Sequence, residues 1–147
     1  MDRCKLANEY HDKGFNCSQS VVAAFADLTG LSLQESCNIS GGFGAGAGTG
    51  ELCGAVTGAI MTLGLLTPVD LNDPVGSKKR TVALAKEFQK RFSERFGYLR
   101  CGDLLKNKAV PTEENAPAAV RLGRTGHCSV MIVTAVEIVE QMLAERN

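Results

Sequence analysis

The chain of 147 residues has no tryptophan, only 5% aromatic residues and a formal net charge of zero. Nucleic-acid binding relies on aromatic side chains that stack on bases and on basic residues that meet phosphates, and this composition favours neither. The 16 basic and 16 acidic residues also give no general attraction to an anionic membrane surface. We therefore expect no nucleic-acid partner and no binding to charged lipid.

The sequence also lacks a long apolar run. Residues 52–66 carry no charge, but Glu51 precedes them and Pro68 and Asp70 follow, so the run is shorter than the roughly 20 residues a membrane helix needs. The N-terminal residues MDRCKLANEYHDK are polar and charged, which is not the pattern of a signal peptide. These observations predict no membrane span and a cytoplasmic location.

Strand patterns are missing as well, since no long strict alternation of apolar and polar residues occurs. Helical patterns run through most of the chain, with capping boxes at Asn16 and Ser32. An aromatic stripe at Phe88, Phe92 and Phe96 forms one helix face, which Val82 and Ala85 are expected to continue. We predict an all-α, compact single-domain bundle of five to six helices over residues 1–147. The expected helices cover about residues 3–13, 16–30, 32–40, 51–66, 75–96 and 127–146, with a short helical turn at 101–105.

Residues 106–126 contain two prolines and two glycines and show no clean period. Loops of this length are often functional lids or partner-specific surfaces. We expect a flexible or lid-like loop here.

Glycine is abundant, with 16 residues, and a glycine-rich lead-in precedes the apolar run. Glycine inside a helix costs about 1 kcal/mol relative to alanine, so Gly54 and Gly58 in an apolar helix indicate a steric purpose. Gly46, Gly50, Gly54 and Gly58 recur every fourth residue and share a face wherever that part is helical. We predict a central, buried, glycine-rich helix that another backbone approaches closely, either within the chain or in a homodimer.

Six cysteines are present, and none forms a Cys-x-x-Cys pair. Four of them, Cys17, Cys53, Cys101 and Cys128, lie at or near predicted helix starts. Free N–H groups and the positive end of the helix dipole favour the thiolate there, and the thiolate is the nucleophile, the redox-active form and the metal ligand. The wide separations mean that any common site would be assembled by tertiary packing. Burial of the cysteines as small core residues is the competing explanation.

These cysteines also carry a resemblance to a known family. The segments concerned are NCSQSV (16–21), GFGAG (42–46), CGAVTG (53–58), RCGDLL (100–105) and the helix start at Cys128. The chain resembles, over roughly residues 10–143, the family of small bacterial redox-active proteins with a C…CGAxxG…C…C pattern. The resemblance implies redox chemistry, genes near transporter loci and four functional cysteines, which here are Cys17, Cys53, Cys101 and Cys128. Cys4 and Cys37 lie outside the pattern.

Four converging thiols allow two kinds of centre. They could bind a metal, as a [2Fe–2S] cluster or tetrahedral zinc, or they could cycle between dithiol and disulfide. The leading hypothesis is redox work with an unidentified redox partner. The alternatives are a non-catalytic metal-binding or regulatory protein linked to a transporter, and a structural protein whose cysteines fill the core.

Three other side chains could take part in a site formed by the cysteines. His127 could be a base or a substitute ligand, but a surface or capping role is favoured because sequence neighbours point apart on a helix. His11 is interpreted as an ordinary surface residue. Glu51 could orient Cys53, although a carboxylate in a first helical turn also simply complements the dipole.

Overall fold

The fold is given by a computed structural model, which describes residues 1–146. Within that range the chain forms helices and turns without a strand, and the all-α prediction is confirmed. The α-helices are α1 (Arg3–Asp12), α2 (Cys17–Ala23), α3 (Ala26–Thr29), α4 (Leu33–Ser40), α5 (Gly54–Leu65), α6 (Pro74–Phe96), α7 (Cys101–Lys106), α8 (Pro117–Leu122) and α9 (His127–Glu145). A 3₁₀ turn (Gly41–Phe43) and a π turn (Gly46–Gly50) connect α4 to the region before α5.

The helix count in the described range is higher than the predicted five to six, for two reasons. The predicted helix over residues 16–30 is interrupted at Phe25, whose φ of −109° and ψ of 13° leave the helical region. Phe25 is fully buried, whereas Leu28, three residues later, is 49% exposed. The break therefore turns α3 away from the direction that an uninterrupted helix would follow.

The second extra helix, α8, lies inside the predicted loop at residues 106–126. Pro117 occupies its first turn, and Gly123 ends it in the left-handed conformation with φ of 66°. Ala116, Ala118 and Ala119 are buried and belong to the hydrophobic core. This part of the segment is thus packed against α9 and is not a loop, while mobility of the remainder stays a prediction.

The backbones of helices α2 and α5 lie close together, as the glycines of α5 predicted. A Cβ atom added at Gly58 would lie 2.9 Å from the carbonyl oxygen of Ser18 and 3.1 Å from the Cβ of Val21. Gly54 is similarly close to the side chain of Cys17. The glycine face of α5 is therefore used within the chain, and a homodimer stays a prediction.

Two long helices complete the core. In α6 the predicted stripe of Phe88, Phe92 and Phe96 is buried, with ring centroids 6.0 Å and 5.1 Å apart along it. Val82, expected to continue that face, is 45% exposed, so that part of the prediction was wrong. Helix α9 contacts α1, α2, α5, α6 and α8, and it shares the central position that the sequence assigned to α5 alone.

By length and composition, α9 is the one helix within residues 1–146 that could cross a membrane. In the fold, 61% of the apolar stretch of this helix is buried. The core helix of a globular protein can have the same length and apolar composition. These criteria are weak evidence for a span, and the absence of a membrane span stays a prediction.

Candidate functional site

The four predicted cysteines line one cavity of about 270 Å³. Cys17 is the first residue of α2, Cys53 is the N-cap of α5, Cys101 is the first residue of α7, and Cys128 is the second residue of α9. The other lining residues are His11, Asn16, Ala45, Gly54, Leu105, His127 and Met131. Four helix starts thus meet around a single space, although they are far apart along the chain.

A capping box fixes the position of Cys17. The side-chain oxygen of Asn16 accepts a hydrogen bond from the N–H of Gln19 at 2.9 Å, and the Gln19 side chain accepts one from the N–H of Asn16 at 3.0 Å. The Asn16 amide also donates to the carbonyl of Gly41 at 3.0 Å, which ties the start of α2 to the glycine-rich segment. The predicted capping box is confirmed. It holds Asn16, the residue before Cys17, to α2, and the bond to Gly41 holds the same side chain to the glycine-rich segment.

Backbone hydrogen bonds fix Cys53 and Cys101 at opposite ends of a short antiparallel pairing, where Cys53 lies opposite Leu99 and Cys101 lies opposite Glu51. The N–H of Cys53 donates to the carbonyl of Leu99 at 2.9 Å, and the N–H of Cys101 donates to the carbonyl of Glu51 at 2.7 Å. Leu52 and Arg100 form an isolated antiparallel bridge between these two bonds. The short paired stretch sets the spacing of the two cysteines without using their side chains.

The carboxylate of Glu51 does not orient Cys53. It accepts two hydrogen bonds from the Arg100 guanidinium, at 3.0 Å and 3.2 Å, and both side chains are more than half exposed. An exposed pair of this kind contributes little to stability. Glu51 acts on the site through its backbone carbonyl, which accepts the bond from Cys101.

A left-handed turn leads into this arrangement. Ala45 and Ala47 have φ of 54° and 58°, and Gly46 and Gly48 between and after them also have positive φ. Left-handed geometry costs an L-residue roughly 1–2 kcal/mol, so the surrounding contacts must hold the two alanines there. The N–H of Glu51 closes the turn by donating to the carbonyl of Gly46 at 3.0 Å.

Gly46 allows the turn to approach Cys101, and this gives a matched pair of variants. Gly46→Ala would place a Cβ atom 2.9 Å from the Cβ of Cys101 and 2.6 Å from the Glu51 carbonyl oxygen, whereas Gly48→Ala meets nothing within 4 Å. Both variants carry the cost of positive φ, about 1–2 kcal/mol, but only Gly46→Ala should also displace Cys101. We expect Gly46→Ala to change the rate of Cys101 alkylation several-fold relative to Gly48→Ala, measured by peptide mass spectrometry. Equal rates in the two variants would contradict the close contact.

Cys17 and Cys128 form the most strongly interacting pair in the cavity. An interaction with the Cys17 thiol is the largest cause that lowers the pKa of Cys128 to about 6. Partial burial opposes it, and the nearby His11 and Lys108 side chains act in the same direction as Cys17. The same interaction, together with burial, raises the pKa of Cys17 far above its usual value. Because the two titrations are linked, the pair loses its first proton readily and holds the second one tightly. The lowered pKa of Cys128 therefore favours a Cys128 thiolate beside a Cys17 thiol at neutral pH.

The other two cavity cysteines favour the thiol form. Burial raises the pKa of Cys53 to about 11, although the backbone amides of Ala55 and Val56 at the start of α5 act in the opposite direction. Burial also raises the pKa of Cys101, and the nearby Cys128 adds to this effect. A helix N-terminus alone therefore does not make these two cysteines thiolates, because desolvation outweighs the dipole.

The pKa of Cys128 predicts a distinct pH profile for alkylation. Only the thiolate reacts, so a lowered pKa moves the rise in rate to lower pH. The rate at which iodoacetamide alkylates Cys128 should level off above a pH of about 7. The rate at which it alkylates Cys53 should still rise about tenfold per pH unit near pH 9. Peptide mass spectrometry of briefly labelled protein gives both rates in one sample. A Cys128 rate that still climbs tenfold per unit above pH 7 would contradict the thiolate assignment.

Two histidines, which local sequence patterns do not connect with the cysteines, also line the cavity. The ring N–H at Nδ1 of His11 donates to the carbonyl of Phe15 at 3.2 Å, which leaves Nε2 as the basic nitrogen of the neutral ring. His127 is half-buried at the start of α9 and lines the same cavity as its neighbour Cys128, and its role stays a prediction. Its Nδ1 is buried with no hydrogen-bond partner among the described residues, and burial, followed by the charge of Lys108, lowers its pKa. Only the tertiary packing of α1 and α9 on α2 could have revealed this.

The remaining cysteines lie away from the cavity. Cys4 is 3% exposed, its thiol lies 3.5 Å from the carbonyl oxygen of Val133, and burial raises its pKa to about 12. Cys37 lies in α4, and burial raises its pKa as well. Both behave as small core residues, which agrees with their place outside the sequence pattern.

The donor types around the cavity suit a metal, but their spacing in this structure does not. In the part of the chain that is described, no three His, Cys, Asp or Glu side chains lie close enough together to bind a metal ion. All six cysteines are free thiols, since no pair is disulfide-bonded. An iron–sulfur or zinc centre therefore stays a prediction.

Comparison with known proteins places these observations in a family. An uncharacterized protein of Archaeoglobus fulgidus is 28% identical over 140 residues, which cover 90% of this chain and 87% of that protein. No solved structure gives a significant match. The sequence profile of one family matches residues 15–142, a range that includes all four cavity cysteines but not Cys4. The chain therefore belongs to the family described as "Putative redox-active protein (C_GCAxxG_C_C)".

Proposed function

We propose that this protein is a thiol–disulfide redox protein in which Cys17 and Cys128 cycle between a dithiol and a disulfide. The observation that carries the proposal is the placement of the pair: Cys17 and Cys128 lie in the first turns of two helices and line one cavity of about 270 Å³. Their linked ionisation, which lowers the pKa of Cys128 and raises that of Cys17, agrees with it. A reactive thiolate beside a second thiol is the arrangement that thiol–disulfide exchange requires. Membership of a redox-active family agrees with this chemistry.

The reaction begins at Cys128. Its thiolate attacks one sulfur of a partner disulfide, forming a mixed disulfide and releasing the other partner sulfur as a thiolate. Cys17 then loses its proton and attacks the Cys128 sulfur, so that the Cys17–Cys128 disulfide forms and the second partner thiol leaves. In total, one protein thiol and one protein thiolate are oxidised to a disulfide and one partner disulfide is reduced. The single proton of Cys17 passes to one released partner sulfur, and the other leaves as a thiolate that takes its proton from solvent.

The positions of the two cysteines suit this cycle. Both lie in the first turn of a helix, and both side chains are partly exposed to the cavity. A disulfide needs a sulfur–sulfur distance of about 2.0 Å, so the reduced pair must move together by side-chain rotation when it is oxidised. A reducing compartment such as the cytoplasm would return the pair to the dithiol form.

The proposal is tested by mapping disulfides in the oxidised protein. Reduced protein is treated under argon with one equivalent of 2-hydroxyethyl disulfide, free thiols are alkylated, and the peptides are analysed by mass spectrometry. We expect Cys17 linked to Cys128, with Cys4 and Cys37 alkylated as free thiols. If Cys17 and Cys128 instead remain free, or become linked to cysteines outside the cavity, the proposed pair is wrong.

A metal-binding role is the second candidate, as a carrier or regulator that serves a transporter. The convergence of four cysteines from four helix starts on one cavity favours it, because four thiolates are the usual ligand set for zinc and for a [2Fe–2S] cluster. Anaerobically purified protein is tested by metal analysis and by ultraviolet–visible spectra before and after exposure to air. Iron with acid-labile sulfide supports the cluster, bound zinc supports the carrier, and protein without metal contradicts both.

A further inference from the structure

Among the described residues, no carboxylate lines the cavity that holds Cys17 and Cys128. Its walls are formed by cysteines, two histidines, Asn16 and small or apolar residues. The cavity volume of about 270 Å³ lies just below the range of about 300–1,000 Å³ that is usual for small-molecule sites. The space therefore suits a small substrate, and the Cys128 thiolate is the only negative charge that such a substrate meets in the described walls.

The acidic residues that follow or precede the cavity residues in the sequence are paired with arginine. Asp12, at the end of α1, forms an ion pair with Arg124. Glu51 and Asp103 both lie against the Arg100 guanidinium, at 3.0 Å and 4.0 Å. Their negative charges are therefore offset locally and oppose an anionic substrate only weakly.

Lys108 is a positive charge at the rim of the cavity. It is exposed and lies three residues after Leu105, which lines the cavity from α7. Lys108 forms no ion pair with a carboxylate within residues 1–146. Its charge acts on both His127 and Cys128 at the start of α9. The cation is therefore available to a substrate that approaches the Cys128 sulfur.

The ring of His127 adds a polar group to the cavity wall. Its Nδ1 atom is buried and has no hydrogen-bond partner in the described part of the chain. A buried polar atom without a partner is costly, so a substrate that forms a hydrogen bond with it gains affinity. This favours a substrate that carries polar groups beside its sulfur atoms, and the charge of Lys108 favours negative ones.

We propose that the substrate of the Cys17–Cys128 pair is a small disulfide that carries carboxylates, and that Lys108 selects it. This inference rests on the proposed function of the pair. The Cys128 thiolate bonds to one sulfur of that disulfide, and the other half leaves as a thiolate that takes its proton from solvent. Cys17 then bonds to the Cys128 sulfur, and its proton passes to the second half as that half leaves. Lys108 takes no part in these bond changes and offsets the repulsion between the thiolate and the carboxylates.

The test compares two small disulfides of opposite charge, the anionic dithiodiglycolate and the cationic cystamine. Each reacts under argon, at low ionic strength, with the reduced, metal-free full-length protein. Acid quenching, alkylation and peptide mass spectrometry give the initial rate at which the Cys128 thiol is consumed. The same two rates for 2-mercaptoethanol correct for the different reactivity of the reagents. We expect the ratio of the dithiodiglycolate rate to the cystamine rate to be at least about threefold higher for Cys128 than for 2-mercaptoethanol.

Lys108→Gln removes the selecting charge. We expect the same ratio to fall at least about threefold in this variant, toward that of 2-mercaptoethanol. A smaller thiolate fraction at Cys128 would slow both reagents equally, so the ratio reports selection and not ionisation. Lys79→Gln, which removes an exposed charge on α6 outside the cavity, is the matched control and should keep the wild-type ratio.

The outcomes separate this inference from the proposed function. If neither reagent produces the Cys17–Cys128 disulfide, the proposed function and this inference both fail. If the disulfide forms but the ratio equals that of 2-mercaptoethanol, only the selection for carboxylates is overturned. Equal ratios in Lys108→Gln and Lys79→Gln overturn the role of Lys108.

Discussion

Cys17→Ser is expected to stop the protein at a mixed disulfide on Cys128. The Cys128 thiolate still attacks a small disulfide, but the thiol that lies against it in the native protein is gone. An intramolecular thiol acts with a high effective concentration, so its loss should slow release of the second partner thiol at least about 100-fold. Intact-protein mass spectrometry after addition of 2-hydroxyethyl disulfide should show one stable adduct per chain, located on Cys128.

The wild-type protein and Cys37→Ser provide the comparison. Both retain the pair and should show the adduct only briefly before it converts to an internal disulfide. Serine at position 17 keeps the size of the side chain and still follows the Asn16 cap, so the fold of α2 should not change. If Cys17→Ser resolves the adduct as fast as the wild type, another cysteine must be the partner of Cys128.

Gly58→Ala is expected to give the largest loss of stability among conservative changes in α5. The added Cβ would lie 2.9 Å from the Ser18 carbonyl oxygen and 3.2 Å from the Ser18 Cα atom, and both belong to the backbone of α2. Since backbone cannot rotate away as a side chain can, α2 and α5 must separate, and overpacking of this kind costs about 1–3 kcal/mol. Urea denaturation followed by circular dichroism measures the change in the free energy of unfolding.

Gly64→Ala is the matched control in the same helix. Its new Cβ would make an ordinary contact with the Thr81 side chain at 4.0 Å, so the better helix propensity of alanine should stabilise the protein by up to about 1 kcal/mol. The two Gly→Ala changes in α5 should therefore have opposite signs. Stabilisation by both would contradict the close approach of α2 to α5.

Local sequence signals were sufficient to predict much of the fold. The capping boxes at Asn16 and Ser32 are both present in full, because a cap depends on residues within one turn of each other. The stripe of Phe88, Phe92 and Phe96 is buried as its spacing predicts. Three of the four cavity cysteines begin their helices as expected, while Cys53 is the N-cap and lies just before the first turn.

Other features depend on contacts that the sequence order does not reveal. The helix breaks at Phe25, whose ring is fully buried, and a helical pattern alone gives no reason to stop there. The left-handed conformation of Ala45 and Ala47 contradicts the usual preference of alanine and needs the surrounding turn to hold it. A surface role for His11 was the natural expectation because nothing local links residue 11 to residue 128.

The convergence of the cysteines was a hypothesis that spacing alone supported only weakly. The bridge between Leu52 and Arg100 and the contact of Gly54 with Cys17 bring the four positions around one cavity, and both are contacts between distant segments. The sequence could indicate which cysteines belong together. It could not indicate that Cys17 and Cys128 interact most strongly, since their pKa values depend on an interaction between two helices.

The most direct test is an equilibrium redox titration of the Cys17–Cys128 pair. Metal-free protein is equilibrated under argon with dithiothreitol buffers of increasing oxidised fraction, quenched with acid, alkylated and mapped by mass spectrometry. The account predicts that the fraction of chains with Cys17 linked to Cys128 rises reversibly through a two-electron transition, while Cys4 and Cys37 stay free. The account is contradicted if Cys17 and Cys128 remain unlinked thiols across the whole range of buffers.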